Sequence, residues 1–252
     1  MANILVLTGI PGSGKSRAAR FLNGEEVWPG YQREWHACLD GYQVKHITDY
    51  TFLHKWFLAE EQRGPVHGKQ RYFRRTSYGG FDIMYPEIVL PYALQLVNAE
   101  ASRYLQHEKT LILIEFARRD YYPSTWEPFH AEILRHAHHL HFRADIETCV
   151  QRVERRSRYQ SYPDDQYVSK QVMRSYYQED GLASLRQTRG EKRVTAINNS
   201  GEWSEACREI YRALAMTIER ITVSSSPPCM VQDFAVLAKS GIAEKGSPSW
   251  KN

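Results

Sequence analysis

Cysteine is scarce and scattered in this 252-residue sequence. Cys38, Cys149, Cys207 and Cys229 form no C-x-x-C pair, which argues against a disulfide framework or a cysteine-based zinc site and suits a reducing cytoplasm. Long apolar runs are missing as well. No stretch approaches the roughly 20 apolar residues of a membrane span, and the segment Met1–Leu7 has neither the basic start nor the apolar length of a secretory leader. The expectation is a soluble, cytoplasmic protein that makes no membrane contact. Neither sign of charge dominates: a net +4 is too small to argue for nucleic acid, though it suits a binder of phosphorylated ligands. Internal repeats are absent, so a solenoid is excluded. What remains is an ordinary globular composition, 42% hydrophobic and 25% charged, in a chain long enough for one sizeable core.

The apolar residues come in two periods. Ile4–Thr8 and Leu111–Ile114 are continuous apolar runs, as expected of parallel strands covered on both faces. Trp35–Leu39, ending at Asp40-Gly41, reads as a second strand, with Leu140–Phe142 and Val194–Ile197 as weaker ones. Between them lie helical patterns: Leu90, Leu94, Val97 and Ala101 recur at three and four within Pro86–Gln106. Ser124-x-x-Glu127 has the form of a capping box for a helix towards Arg135, and Asp145 caps Ile146–Ser157. Val168, Val172 and Tyr176 mark a further helix, and Ala206, Ile210, Leu214 and Ile218 the last. Strands alternating with helices predict an α/β, doubly wound, largely parallel sheet of about five strands. Residues 1–221 make the domain, and the Ser- and Pro-rich text of 222–252 reads as a poorly ordered tail.

Gly9-Ile-Pro-Gly-Ser-Gly-Lys-Ser16 fits the phosphate-loop pattern GxxxxGK[ST] between an apolar strand and a helix, where its mechanism needs it. Gly9, Pro11, Gly12, Ser13, Gly14 and Arg17 would surround the phosphates of ATP, with backbone N–H groups and a helix N-terminus turned towards them. Lys15 would reach the β- and γ-phosphates, and Ser16 would bind Mg²⁺. Glu115, at the end of the Leu111–Ile114 strand, is the expected second holder of Mg²⁺. Asp40, at the end of the second strand, either accepts the proton of an attacking hydroxyl or serves ordinary Asp-Gly turn chemistry.

The arginines fall into groups. Arg152, Arg155, Arg156 and Arg158 end the Asp145-capped helix and, with the region 152–180, make either a lid over the transferred phosphoryl group or a solvated face. Arg71, Arg74 and Arg75, next to Tyr78-Gly-Gly-Phe81, suit an anionic, ring-bearing acceptor such as a nucleotide or nucleic-acid end, or else form a basic surface loop. They lie in a helical insertion, 41–108, between the second and third strands. Arg118 and Arg119 would project at the carboxyl edge of the sheet, where such folds bind ligands. The run His136-Ala-His138-His139-Leu-His141 reads as an exposed helix end passing into a strand, not as a zinc site.

Gly9–Ser16, the two strand-end carboxylates and the arginine-rich helix end together resemble the P-loop nucleoside and nucleotide kinase superfamily. That group includes adenylate-kinase-like, dephospho-coenzyme A and polynucleotide kinases. The resemblance implies a five-stranded sheet in the order 2-3-1-4-5 and an ATP- and Mg²⁺-dependent phosphotransferase acting on a small anionic acceptor. It also implies that Asn198 and Asn199 hold the adenine, that Asp40 is the base, and that Arg118 in Glu-Phe-Ala-Arg binds an acceptor phosphate. The Asp-Gly-x-Pro-Arg run of the family is one residue short here, its acid is Glu115, and 41–108 matches no branch. The reading from another class is an ATP-hydrolysing switch. A GTPase is disfavoured because the guanine-reading Asn-Lys-x-Asp is missing.

Overall fold

Five strands run parallel in one sheet in a computed structural model that describes residues 2–26, 39, 41–64, 71–159, 162, 166–201 and 203–223. They are β1 (Asn3–Thr8), β2 (Gln43–Thr48), β5 (Thr110–Glu115), β6 (Ala137–Arg143) and β7 (Val194–Asn198), in the order β2-β5-β1-β6-β7. In whole-chain numbering this departs from 2-3-1-4-5, because two hairpin strands fall between β2 and β5; with the hairpin left out, the two orders coincide.

Alternation along the strands builds three layers. Leu5, Leu7, Leu111, Leu113, Leu140 and Phe142 face α1 (Lys15–Leu22) and α9 (Trp203–Val223). Ile4, Val6, Ile112 and Ile114 face α3 (Pro86–Ser102), α5 (Ala131–His136) and α8 (Leu182–Arg189). Every residue of β5 is buried, as its unbroken apolar run requires of a central strand.

Beside β2, α2 (Asp49–Arg63) and α3 carry an antiparallel hairpin, β3 (Phe73–Arg75) with β4 (Phe81–Ile83). Phe57, Phe73 and Phe81 form its core, and the buried Glu60 accepts hydrogen bonds from Tyr72 N (2.9 Å) and Phe73 N (3.1 Å), which ties the hairpin to α2. After β6, α6 (Ile146–Tyr159) and α7 (Lys170–Tyr176) pack Cys149, Val150, Val153 and Met173 onto Ile10 of the phosphate loop. Asp145 Oδ1 accepts from Thr148 N at 2.8 Å, the expected cap. A short α4 (Pro123–Trp126) precedes α5.

Several sequence expectations shift. The strand that pairs with β5 beside the hairpin is β2, which the sequence did not single out; the expected strand Trp35–Leu39 lies outside the described residues except for Leu39. Residues 43–48 therefore belong to the sheet and not to an insertion. No long helix follows Ser124: α4 stops at Trp126, and α5 starts afresh at a cap made by the His130 side chain. His139 and His141 are fully buried in β6, not exposed. Residues 224–252 lie outside the described residues. Among the described residues, no helix is long and apolar enough to cross a membrane.

Candidate active site

The carboxyl ends of β1, β2 and β5 open into one cavity of about 1030 Å³, large enough for a nucleotide and a small second molecule. The phosphate loop forms its floor. Gly9 (φ 131°) and Gly14 (φ 110°) have backbones that side-chain-bearing residues rarely adopt, and a Cβ would collide with Phe142 O at the first and Asn199 Nδ2 at the second. Two side chains hold the loop from outside. The buried Tyr121 hydroxyl accepts from Gly9 N (2.9 Å), and Asn199 Nδ2 donates to Ser13 O (2.7 Å). Arg152 Nη1 in turn donates to Asn199 O (2.9 Å), linking the loop after β7 to α6.

Lys15 is buried, with Nζ donating to Ile10 O at 2.9 Å. Burial pushes its ammonium down to about 8, against the pull of Glu115. A cation held in low dielectric above an array of loop amides is matched to a polyphosphate. Ser16 Oγ donates to Glu115 Oε1 at 2.6 Å, so a hydroxyl and a carboxylate converge beside Lys15. These are the hard oxygen donors that Mg²⁺ takes alongside phosphate oxygens and water, and the set fits that ion.

Glu115 has a second partner, His46 on β2, whose Nε2 lies 2.9 Å from Oε2. Burial opposes the charge on Glu115, yet His46, Lys15 and Ser16 together hold its carboxyl at about 2. Sequence reading missed His46, since only the register of β2 on β5 brings it across from Leu113, two residues from Glu115. His46→Ala is expected to raise the Mg²⁺ concentration for half-maximal activity by about tenfold, because outer contacts orient metal-binding carboxylates; a magnesium titration of initial rates checks it.

The depressed Glu115 carboxyl also sets an acid-side prediction. The folded state keeps it ionised to about pH 2, the unfolded chain only to its ordinary 4.5. Its contribution is therefore present above pH 4.5 and lost as pH falls towards 2, where the unfolded state binds more protons. Glu115→Gln should flatten the melting temperature against pH across that window, as read by calorimetry.

The structure separates the other expected site residues. Arg152, Arg155 and Arg156 line the cavity from α6, while Arg158 is exposed and does not. Arg17 lines it and pairs with Glu26. Asn199 is buried against the loop, but Asn198 is exposed, its Oδ1 accepting from Ser200 N. Arg71 and Arg75 pair with Glu61, and Arg74 with Asp82; all three are more than half exposed and are not among the described residues that line the cavity. Arg119 is likewise exposed, paired with Asp120.

Arg118 is at the site but not free. It is buried, with Nη1 donating to Asp49 Oδ2 (2.7 Å) and Nη2 to Leu90 O (3.1 Å). Asp49, which sequence reading passed over, directly follows β2, whose Thr48 stands opposite Glu115. It is the carboxylate at the end of the second strand; Asp40 lies outside the described residues. Burial pushes the Asp49 carboxyl up, against the pull of Arg118.

No family model matches the chain, and no curated protein matches it. Solved structures do. Kti12 from Chaetomium thermophilum in complex with ADP-AlF3 has a TM-score of 0.50 at 16% identity, covering 85% of this chain and 98% of that one. A gluconokinase from Sinorhizobium meliloti gives 0.47 at 15% identity, covering 89% and 98%. Shikimate kinase from Acinetobacter baumannii in complex with shikimate gives 0.42 at 14% identity, covering 90% and 97%. At such identities the likeness is one of architecture, and it agrees with the sheet order and the loop geometry: the chain has a P-loop kinase-like fold.

Proposed function

We propose that the protein transfers the γ-phosphoryl group of ATP to a hydroxyl of a small acceptor, with Mg²⁺ as cofactor. One observation carries the reading: Asp49 lines the same cavity as Lys15, Ser16 and Glu115, at the end of the strand next to Glu115. A loop for the phosphates and a buried carboxylate beyond them are what transfer needs and what binding alone does not.

The loop amides and Lys15 bind and orient the polyphosphate. Ser16 and Glu115 would hold Mg²⁺, which supplies charge neutralisation across the phosphates. Asp49 aligns the acceptor hydroxyl and takes its proton as the oxygen attacks the γ-phosphorus; the bond to the bridging oxygen breaks and ADP departs. A carboxyl raised by burial is a better proton acceptor than one in water. Arg152, Arg155 and Arg156 line the cavity from a helix packed against Ile10, which supports a role in closing over the transferred group and excluding water. ATP as donor and the free, buried thiols of Cys149 and Cys207 among the described residues suit a cytoplasmic setting.

The test is ADP formation with Mg²⁺·ATP, with and without a panel of sugars, nucleosides and other alcohols. Stimulation by an acceptor, with the phosphate recovered in it, supports the reading. Equal ADP and free phosphate under all conditions would make the protein an ATPase.

A further inference from the structure

The acceptor half of the cleft has a charge pattern unlike that of the nucleotide half. Around the phosphate loop, cations accumulate: Lys15, Arg17, Arg152, Arg155 and Arg156 all line the cavity. At the Asp49 end, each arginine is matched by a carboxylate. Arg118 is committed to Asp49, and Asp82 accepts from Arg74 (2.9 Å) and from Ser169 N (3.3 Å). Among the described residues, no cation is left over there to neutralise an incoming phosphate or carboxylate. An anion entering beside Asp49 would be desolvated against a carboxylate already in place, which is strongly unfavourable.

The groups that remain are of another kind. Asp49 Oδ1 and the Tyr177 hydroxyl have no hydrogen-bond partner among the described residues, and Tyr177 stands within the electrostatic reach of Asp49 and Arg118. The walls are apolar and flat: Leu53, Leu90 and Phe81 line this end, and the Phe81 ring lies within 5° of parallel to that of Tyr50. An acceptor carboxylate and a phenol set among aromatic and aliphatic walls match a hydroxyl on an apolar frame.

We infer that the acceptor is an uncharged, ring-bearing alcohol, not a phosphate ester or a carboxylic acid. This rests on reading the Asp49 end as the acceptor half, and it reverses the anionic acceptor that the sequence suggested. Arg118 serves to hold Asp49 in place, and the specificity comes from withholding a free cation.

Matched pairs test it: thymidine against thymidylate, adenosine against adenylate, and pyridoxine against pyridoxic acid. Binding of each to the protein loaded with Mg²⁺ and ADP is measured by calorimetry, with phosphoryl transfer from ATP measured alongside. In at least one pair the neutral member should bind with Kd below about 1 mM, and in each pair that binds it should be at least about tenfold tighter than its anionic partner. Asp49→Asn should shrink that ratio by about tenfold, since it unmatches Arg118. An anionic member binding as well as its neutral partner, no neutral member binding, or an unchanged ratio in Asp49→Asn overturns the inference. Neutral preference in binding without transfer to any compound removes the kinase reading and keeps only the selectivity of the Asp49 end for an uncharged ligand.

Discussion

Lys15→Met is expected to lower phosphoryl transfer by about 10³-fold or more, in a protein that melts no lower than wild type. The loss follows from the position of the ammonium, which is buried in the loop and beside Glu115 and is worth most where charge spreads over the γ-phosphoryl oxygens. The retained stability follows from the same burial. Low dielectric already pushes this lysine down to about 8, so keeping it charged costs the fold, and Met keeps the aliphatic stem without that cost. The sign of the pH effect is fixed. Between pH 8 and the ordinary 10.5 the unfolded chain binds the proton that the folded chain has released, so wild-type stability from this group rises with pH across that window. Lys15→Met should lack that rise. Rates by coupled ADP release and melting curves from pH 7 to 11 check both halves.

Asp49→Asn is the second large effect. Transfer to a hydroxyl should fall by about 10²-fold or more, while the affinity for Mg²⁺·ATP stays within about threefold. Asn keeps the shape of Asp49 and can still accept from Arg118, but it cannot take the proton. It also leaves the Arg118 charge buried without a counter-ion, so a lower melting temperature is expected, of the order of a few kcal/mol of stability. Nucleotide titration of the variant separates the two: binding retained with transfer lost assigns the proton role, whereas binding and transfer lost together would mean a collapsed site. If transfer is unchanged, Asp49 has no part in the chemistry.

Asp49 also shows where sequence reading stopped. The phosphate loop was legible because its demands are local: Gly9 and Gly14 must adopt backbones that side chains resist, and Lys15 and Ser16 follow at once in the chain. The β5 strand was legible because all six of its residues are buried, and its middle four, Leu111–Ile114, form an unbroken apolar run. β2 is an edge strand, Gln43-Val-Lys-His-Ile-Thr48, with one fully buried position, so its apolar signal is thin and Trp35–Leu39 outweighed it. Asp49 at the end of β2 was therefore passed over in favour of Asp40, which lies outside the described residues.

The hairpin arginines were hard to read for a different reason. Arg71, Arg74 and Arg75 read as a cluster in sequence, but their charges are met by Glu61 and Asp82, whose nearness comes from the α2–hairpin packing and from no local spacing. His139 and His141 read as polar, yet they pack edge-on against Trp126 and Tyr121 in the core; a histidine in a strand gives no hint of which face it takes. Tyr121, whose hydroxyl meets Gly9 N from 112 residues away, is of the same kind: its role exists only once the fold does.

Transfer, as opposed to binding or hydrolysis, is read directly by phosphorus NMR of the protein turning over Mg²⁺·ATP with thymidine, adenosine or pyridoxine. The γ-phosphate resonance is expected to be replaced by a new phosphomonoester signal, acceptor-dependent and missing in Lys15→Met. Growth of inorganic phosphate alone, at a rate indifferent to every acceptor, would contradict it.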